Sequence, residues 1–491
     1  MDFDYVVVGA GAAGCALATR LAQRLDADIA LLETGPPATD PRIWRPAAWP
    51  ELCGGDLDHR YLTVPQQALD GRRLAWPRGR VVGGSAAINA LVYVRGHVSD
   101  YAAWERLAGP GWGADAVLGA LAGLEAAAPP VGVPLERARP LHPFCQAFLE
   151  AAQAVGHKHV DTFSPWSMTG VGAYELTRRA GRRWNTSLGL DAHDGPGRVT
   201  VLTGSRAVRL EIDRDRVAAV RLADGRRVQA RREVVLTGGA VETPALLMRS
   251  GVGPAAHLES VGVAVRHDLP GVGANLHDHV QVSLAYPVPQ RVPVAGSSNL
   301  GEVGGFVATR DGLPAPDVQL SFAPMLGLNG PGSQGAGFTI GPAVTRPTSR
   351  GTLRLASADP DEPPLVDPGY LTTREDLDTL VDGVEAALEI ASAGPLASLA
   401  DPVDTSALGT RDGRERFVRA SAQTQYHPVG SVSMGTSTGA PLDPRLRVRG
   451  LEGVRVADAS AIPVMTTGNI QAPVIAVALQ AADFLCEVHH D

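Results

Sequence analysis

The sequence is poor in cysteine, and none of its cysteines forms a metal-binding or redox pair. Cys15, Cys53, Cys145 and Cys486 stand far apart, whereas zinc ribbons and thioredoxin-like proteins place two cysteines at C-x-x-C spacing. The spacing therefore excludes both classes of site. A reducing, cytoplasmic compartment fits this cysteine usage best.

The sequence also lacks an excess of positive charge and long apolar runs. The 44 Lys and Arg residues are outnumbered by 52 Asp and Glu residues, giving a net charge of −8, which argues against nucleic acid or an anionic membrane as partner. No run of about 18 or more apolar residues predicts a membrane span. The apolar run from Tyr5 to Ala18 follows Asp2 and Asp4, where a signal peptide needs basic residues.

The length and composition predict a globular protein with more than one domain. With 491 residues, the chain is too long for one ordinary hydrophobic core, so we expect two or more domains. Hydrophobic residues make up 44% of the chain and charged residues 20%, as in soluble globular proteins. The 56 glycines and 38 prolines are spread along the chain, which indicates many tight turns rather than disorder.

The opening segment reads as a strand, a glycine-rich turn, a helix and a second strand that ends on an acid. Gly9, Gly11 and Gly14 form G-x-G-x-x-G directly after the apolar run Phe3–Val8, and Glu33 follows about 20 residues further on. In a dinucleotide site, these glycines permit the tight turn, the approach of a pyrophosphate and helix–strand packing. The acid can accept hydrogen bonds from both ribose hydroxyls. We therefore predict a dinucleotide site, with a glycine-rich turn of another α/β protein as the alternative.

A second strand–glycine–helix unit stands in the middle of the chain. Val234–Thr237 is an apolar run, and Gly238 and Gly239 lead from it into a helical pattern. The nucleotide-binding domain therefore resumes here. Between Asn275 and Ser421, strands mix with loops rich in Gly and Pro, which predicts a second domain of antiparallel sheet covered by helices.

The predicted fold class is α/β, in which a Rossmann-type domain with a parallel sheet is interleaved with an α+β substrate domain. The nucleotide-binding parts are expected at 1–150, 196–274 and, together with the catalytic residues, 422–491; the substrate-domain parts are expected at 151–195 and 275–421. Long helices are predicted over Tyr101–Leu124 and Arg374–Ala393.

His427 is the candidate for proton transfer. Pro428 restricts this histidine to extended backbone, which fixes where the imidazole points. Histidine is the side chain best suited to take a proton near neutral pH, although one of 13 histidines in a glycine-rich loop is more often structural. His277 and His279 flank Asp278, a pattern that also fits a metal site.

The chain resembles the glucose–methanol–choline (GMC) oxidoreductases, a family of FAD flavoproteins, over essentially its whole length. Four separated stretches carry the resemblance, namely Gly9–Glu33, Gly79–Gly96, Gly239–Gly253 and His427–Pro473. The run Asn275–His279 is also similar. In pattern, the chain is most similar to bacterial choline-dehydrogenase-like alcohol dehydrogenases and oxidases.

The resemblance implies FAD as cofactor and assigns the residues that bind it. These are Gly9, Gly11, Gly14 and Glu33 for the ADP half, Arg80, Gly84 and Asn89 along the pyrophosphate and flavin ring, Val208 at the adenine and Asp458 at the ribityl–pyrophosphate part. Relatives whose flavin is attached covalently carry a histidine where this chain has Ile88. Isoleucine cannot make that bond, so noncovalent FAD is expected.

The resemblance also implies oxidation of an alcohol, most simply a primary one. His427 matches the family's catalytic histidine, and Asn469 matches the second catalytic position, which is His or Asn. His427 would take the hydroxyl proton while hydride leaves for the flavin N5, and Asn469 would bind the substrate oxygen. The electrons would pass to oxygen or another acceptor. The family's reading of His277 and His279 is structural, so no metal is expected.

Three alternatives use the same scaffold. Some GMC-type proteins cleave hydroxynitriles with a flavin that does not turn over, and others decarboxylate fatty acids in light. The third alternative, a flavin-binding protein without catalysis, is disfavoured because His427 and Asn469 are both intact. A small-molecule substrate, rather than nucleic acid or a membrane, is the expected partner.

Overall fold

Helices from all parts of the chain surround two large sheets. The computed structural model describes residues 1–289, 292–327, 336–400 and 405–487. The α-helices are α1 (Ala12–Arg24), α2 (Trp49–Leu52), α3 (Val98–Ala108), α4 (Ala114–Ala126), α5 (Pro143–Ala154), α6 (Gly239–Arg249), α7 (Ala255–Ser260), α8 (Arg374–Ala391), α9 (Gly394–Leu399), α10 (Arg411–Ser421) and α11 (Gln471–Glu487).

The strands stand partly between these helices and partly in runs without an α-helix, such as β7–β13 and β15–β22. They are β1 (Asp2–Val8), β2 (Asp28–Leu32), β3 (Tyr61–Leu62), β4 (Ala75–Trp76), β5 (Val92–Tyr93), β6 (Leu135–Glu136), β7 (Gly170–Ala173), β8 (Glu175–Arg179), β9 (Arg182–Arg183), β10 (Arg198–Leu202), β11 (Ala207–Asp213), β12 (Arg216–Leu222), β13 (Arg227–Leu236), β14 (Val252–Gly253), β15 (His267–Asp268), β16 (Val280–Gln281), β17 (Leu284–Pro287), β18 (Val303–Val307), β19 (Val318–Ala323), β20 (Gly337–Val344), β21 (Thr352–Arg354), β22 (Leu365–Asp367), β23 (Gln423–Thr424) and β24 (Val454–Val456).

The first large sheet joins strands from the start, middle and end of the chain. Its order is β10-β2-β1-β13-β12-β11, and β24 also pairs with β13. Strands β10, β2, β1, β13 and β24 are parallel, whereas β11, β12 and β13 form an antiparallel meander. Helices α1 and α11 pack together and bury apolar residues such as Leu17 and Ile475 in one core with the sheet. The predicted return of the chain to its first sheet is therefore confirmed.

The second large sheet is antiparallel, as predicted. Its order is β23-β16-β20-β19-β18-β7, with β17 also paired to β20. Along β19, Val318, Leu320 and Phe322 enter a core that helices α5, α8, α9 and α10 complete. Because successive strand residues point to opposite faces, Gln319 and Ser321 face the other way. One face of this sheet is thus apolar and covered by helices, and the other carries polar side chains.

One predicted long helix is two helices in the structure. The prediction over Tyr101–Leu124 ignored Gly109, Pro110 and Gly111, where α3 ends and a short 3-10 turn precedes α4. Proline cannot donate the helical hydrogen bond, and Gly109 takes φ +94°, which favours glycine. Among the described residues, no helix combines the length and apolarity needed to cross a membrane.

The turn between β1 and α1 is closed by backbone atoms of a neighbouring turn. Gly9 has φ +112°, and a Cβ built on it would lie 2.6 Å from the carbonyl oxygen of Thr237. A Cβ on Gly14 would lie 1.9 Å from the carbonyl oxygen of Gly9. A Cβ on Gly11, in contrast, would lie 3.9 Å from its nearest neighbour, the Cα of Gly84. Two of the three glycines are thus required by packing, and Gly11 is not.

We expect alanine to separate these roles. Gly14→Ala forces an atom into the β1–α1 turn and should lower the free energy of unfolding by about 1–3 kcal/mol. Gly11→Ala should change it by less than about 1 kcal/mol while still weakening cofactor retention. Denaturant unfolding of the ligand-free proteins measures the first effect, and retention of the expected dinucleotide through gel filtration measures the second. Equal destabilisation by the two substitutions would contradict the assignment.

Candidate active site

Both large sheets line one cavity of about 340 Å³. Val8, Leu32 and Leu236, the last residues of β1, β2 and β13, form one wall, and Gln281 and Gln319 of the second sheet form part of another. In open α/β sheets, ligands bind outside the carboxyl ends of the parallel strands. The cavity therefore lies where the sheet topology predicts a nucleotide.

Glycine backbone forms the part of the cavity nearest to β1. Gly9, Gly11, Gly84 and Gly239 all line it, as the sequence predicts for the first three. Gly84 has φ +55°, and a Cβ on it would lie 2.7 Å from the Cα of Gly11. A side chain at Gly84 is thus excluded where these turns meet, and main-chain atoms face the cavity there. Such a cradle suits a pyrophosphate, because free N–H groups at a helix start hold negative charge.

Glu33 lies in this cavity and is buried, with 6% of its surface exposed. Its carboxylate accepts hydrogen bonds from the backbone N–H of Ala10 at 3.1 Å and of Gly35 at 2.8 Å. Burial raises the pKa of the Glu33 carboxyl, and these two N–H donors oppose the rise. Each carboxylate oxygen keeps further lone-pair capacity. The Glu33 side chain fixes the glycine turn, and it can also accept hydrogen bonds from ribose hydroxyls.

Asp458 is also buried in the cavity wall, and it supports the second glycine turn. Its Oδ2 accepts from the N–H of Gly239 at 2.7 Å and the hydroxyl of Thr243 at 2.6 Å, and its Oδ1 accepts from the N–H of Ser460 at 2.8 Å. Burial raises the pKa of Asp458. The side chain therefore holds the end of β24 against the start of α6.

Three of the expected cofactor contacts, Gly14, Arg80 and Val208, lie outside the residues that line the cavity. Arg80 is exposed, and its guanidinium donates to the carbonyl of Asp56 at 3.3 Å. Val208 is half-buried on β11, and its neighbour Ala207 lines the cavity instead. Arg78, which sequence reasoning missed, does line it, and its Nε and Nη2 have no hydrogen-bond partner among the described residues. Two such donors suit a negatively charged group.

Asn89 lines the cavity and is held by a buried arginine. Arg183 donates from Nη1 to Asn89 Oδ1 at 2.6 Å and from Nη2 to Asn89 O at 2.7 Å. The Asn89 amide then donates to Gln471 Oε1 at 2.7 Å. Burial lowers the pKa of Arg183 to about 9. Sequence reasoning missed Arg183, because only the fold shows that this arginine is buried against Asn89.

His427 lies in the cavity wall and is 9% exposed, and the backbone leading into it is held in place. The N–H of His427 donates to Asp278 Oδ1 at 2.7 Å, and the hydroxyl of Thr424 donates to Oδ2 of the same carboxylate at 2.5 Å. Tyr426 just before it has φ +69°, an uncommon conformation for a side chain of this size. Burial lowers the pKa of His427 well below its ordinary value, and nearby His279 and Arg78 lower it further.

The imidazole of His279 contacts that of His427 directly. The two Nδ1 atoms are 2.9 Å apart, and His279 Nε2 is 2.9 Å from the carbonyl oxygen of Thr345. A carbonyl oxygen only accepts hydrogen bonds, so Nε2 of His279 carries a proton. Burial lowers the pKa of His279 to about 4, so the ring is neutral near neutral pH and its Nδ1 is an acceptor. His427 must then donate from Nδ1. Its Nε2 therefore presents a lone pair to the cavity, as a base requires.

Asn469 lies beside that lone pair. Its Nδ2 is 3.1 Å from His427 Nε2, and its Oδ1 accepts from Gln319 Nε2 at 3.1 Å. The fold thus brings the two predicted catalytic side chains together in the cavity. A ligand oxygen between them could donate to the histidine and accept from the amide.

The histidine pair at 277 and 279 is explained without a metal. His277 Nδ1 donates to the carbonyl of Asn275 at 2.6 Å, and His277 Nε2 accepts from the N–H of Met465 at 3.1 Å. Burial lowers the pKa of His277 to about 3. Within the described part of the chain, no three His, Cys, Asp or Glu side chains come together as metal ligands. His277 is structural, whereas His279 supports His427.

Family models place the chain in a known class of oxidoreductases. Residues 3–281 match the N-terminal and residues 347–478 the C-terminal model described as GMC oxidoreductase. The protein belongs to this family, and it is an FAD-dependent oxidoreductase. The resemblance drawn from the sequence and the predicted fold class are both confirmed, and the cavity fits FAD at its glycine turns, Glu33 and Arg78.

Curated relatives and solved structures extend over the same length. The chain is 35% identical to "Alcohol dehydrogenase [acceptor]" of Pseudomonas putida, covering 98% of this chain and 95% of the relative. It is 34% identical to the mitochondrial choline dehydrogenase of Homo sapiens, covering 99% and 90%. The crystal structure of pyridoxine 4-oxidase from "Mesorbium loti" superposes with a TM-score of 0.91 at 32% identity, covering 99% of both chains.

We expect the contact with His279 to set the activity of His427. His279→Leu removes the acceptor for His427 Nδ1–H, so the imidazole can rotate or change tautomer, and flavin reduction by substrate should fall about 10- to 100-fold. His279→Asn keeps a side-chain acceptor near Nδ1 and should restore much of the rate. Anaerobic stopped-flow reduction of the two holoenzymes, with FAD content checked by absorbance, measures the difference. Equal rates in the two variants would refute a positioning role.

Proposed function

We propose that this enzyme oxidises a primary alcohol to the aldehyde with noncovalently bound FAD. The observation that carries the proposal is the geometry at His427, whose Nε2 faces the Asn469 amide at 3.1 Å inside the cavity. Its Nδ1 is occupied by His279. The similarity to an alcohol dehydrogenase over 98% of the chain supports the same chemistry.

His427 is the base of the proposed reaction. The substrate hydroxyl enters between His427 and Asn469 and donates its proton to His427 Nε2. A positioned base of this kind contributes roughly 10²–10⁴-fold to rate. FAD, held at the glycine turns and Glu33, would supply the acceptor for the hydride from the adjacent carbon and the route for its electrons to oxygen or another acceptor. The imidazolium that forms is stabilised through Nδ1–H, which still donates to His279.

Asn469 holds the substrate oxygen as negative charge develops on it. The amide donates from Nδ2, and it is oriented by Gln319, which donates to its Oδ1 at 3.1 Å. Gln319 is 1% exposed and also donates to the hydroxyl of Tyr174 at 3.1 Å. The Asn469 donor is therefore positioned before substrate arrives, which is the condition for effective stabilisation of charge.

Substitution of the two residues tests this division of roles. His427→Ala removes the base, so flavin reduction should fall by about 10²-fold or more. Asn469→Ala removes one donor and should cost about 2.7–4 kcal/mol of activation free energy at the reduction step. Because both act on one oxygen, the double variant should lose less than the product of the two losses. Anaerobic stopped-flow reduction with a panel of primary alcohols measures each rate.

The control for these variants is their cofactor content. Neither residue lies in the glycine turns, so both variants should keep FAD at the occupancy of the unsubstituted enzyme. Near-normal flavin reduction in His427→Ala with FAD bound would refute the mechanism. Failure of every alcohol to reduce the unsubstituted enzyme, with turnover of a hydroxynitrile or a light-driven loss of carboxylate from a fatty acid, would favour the two alternative activities.

The nature of the side chains around the cavity supports noncovalent FAD. Ile88 lines the cavity and is 3% exposed, but it has no nucleophilic atom. Cys53 also lines it, and burial raises the pKa of its thiol to about 12, so the reactive thiolate is absent near neutral pH.

Acid precipitation tests this attachment. We expect all of the yellow colour to move into the supernatant when the purified holoenzyme is denatured with acid, because no covalent bond holds the flavin. Absorbance of the washed pellet and the supernatant measures the two fractions. Colour that stays in the washed pellet would contradict noncovalent binding, and Cys53→Ala would then show whether that thiol is the point of attachment.

A further inference from the structure

The hydrogen bonds around His427 form one chain with a fixed direction. The Thr345 carbonyl can only accept, so His279 donates to it from Nε2 and accepts at Nδ1 from His427. His427 therefore accepts at Nε2, and the Asn469 atom beside it must be the amide nitrogen. The orientation of the Asn469 amide is thus set by the Thr345 carbonyl, which is the terminal acceptor of this chain of hydrogen bonds.

The same logic continues beyond Asn469. Its Oδ1 accepts from Gln319 Nε2, which fixes the Gln319 amide with its oxygen directed away. Gln319 Oε1 then accepts from Gln425 Nε2 at 3.2 Å. Each amide has one allowed orientation, because reversing any of them would bring two acceptors or two donors together. The chain ends on Gln425 Oε1.

That last oxygen is buried without a donor. Gln425 is 7% exposed and lines the cavity, and its Oε1 has no hydrogen-bond partner among the described residues. A buried carbonyl oxygen is normally hydrogen-bonded. An unpaired acceptor at the wall of a substrate cavity is explained when the ligand supplies the donor. The contact with Gln319 fixes the Gln425 amide, with Oε1 as its unpaired atom.

The wall around this oxygen carries amides and hydroxyls rather than charges. Gln319, Ser321 and Gln281 line the cavity from β19 and β16, and Tyr174 completes the group. Among the described lining residues, the carboxylates are Glu33, Glu242 and Asp458, which lie on the first sheet's side of the cavity. A quaternary ammonium group is normally bound by a carboxylate or an aromatic cage. The group around Gln425 contains no carboxylate, and Tyr174 contributes one aromatic ring to it rather than a cage.

We propose that Gln425 Oε1 is the second recognition point for substrate. The enzyme acts on uncharged alcohols that carry, besides the reacting hydroxyl, a further hydroxyl or N–H group that donates to this oxygen. It discriminates against alcohols with a quaternary ammonium group. The proposal rests on the proposed alcohol oxidation, and it names the class of alcohol that the same cavity selects.

Matched pairs of alcohols test the proposal. Glycerol is compared with propanol, a hydroxybenzyl alcohol with benzyl alcohol, and choline with dimethylbutanol, its neutral carbon isostere. The Kd of each comes from the change in flavin absorbance on binding to the holoenzyme, and reduction rates come from anaerobic stopped flow. We expect the donor-bearing member of at least one of the first two pairs to bind about tenfold tighter. Choline should bind more weakly than its isostere.

Substitution at Gln425 assigns the preference to this side chain. Gln425→Leu removes the acceptor and should reduce the preference for the donor-bearing member to about twofold or less. Gln423→Leu is the matched control, because Gln423 is the same residue type on the adjacent strand, donates to Ser283 Oγ at 2.9 Å and does not line the cavity. It should keep the preference. Gln425→Met is the second apolar replacement if the leucine variant does not fold.

The outcomes separate this proposal from the proposed function. Equal affinities within both donor pairs in the unsubstituted enzyme, or a preference that survives in both Gln425 variants, would overturn the recognition role. Tighter binding of choline than of its isostere would overturn the stated charge preference. A donor preference in Kd without flavin reduction by any alcohol would support the recognition point and refute alcohol oxidation instead.

Discussion

Two facing ring nitrogens impose the central constraint on this site. The Nδ1 atoms of His279 and His427 are 2.9 Å apart, so only one of them can carry a proton. The Thr345 carbonyl decides which one, because it takes the proton of His279 Nε2. His427 is thereby held with Nδ1 protonated and with the lone pair of Nε2 directed at the Asn469 amide in the cavity. This protonation state follows from a backbone carbonyl that lies outside the cavity lining.

This constraint holds only because the second sheet joins distant parts of the chain. Strand β16 follows directly after His279, β23 lies just before His427, and the two strands pair through Val280 and Thr424. Strand β20 ends at Val344, next to Thr345, and it pairs with both β16 and β19. The hydrogen bonds of this sheet therefore fix the distance between the two imidazoles. The first sheet supplies the glycine turns, so neither sheet alone forms the site.

Local features of the site could be predicted from the sequence, whereas long-range contacts could not. Gly9, Gly11, Gly14 and Glu33 belong to one strand–turn–helix–strand unit whose spacing has a direct geometric meaning. His427 and Asn469 were found through resemblance to a family. The buried glutamine Gln319 carries no such signal, because an isolated glutamine in a sequence reads the same whether it is exposed or buried.

The contacts of the arginines could not be predicted from the sequence either. Arg78 and Arg80 differ by two positions, and the glycine-rich run drew attention to Arg80, yet Arg78 lines the cavity. Arg183 holds Asn89 from nearly a hundred residues further along the chain. The side chain of each arginine is long enough to reach several partners, so its role depends on packing that only the folded chain defines.

The polar wall of the cavity is costly for the protein without ligand. Apolar residues of similar volume would remove the unpaired oxygen of Gln425, which costs about 1–3 kcal/mol when it has no donor. The same replacement would free the Gln319 amide, and with it the orientation of Asn469. The contact between Gln319 and Gln425 therefore has two consequences. It orients the Asn469 amide through Gln319, and it leaves Gln425 Oε1 as the atom without a donor. A ligand that supplied a hydrogen-bond donor to this oxygen would offset that cost.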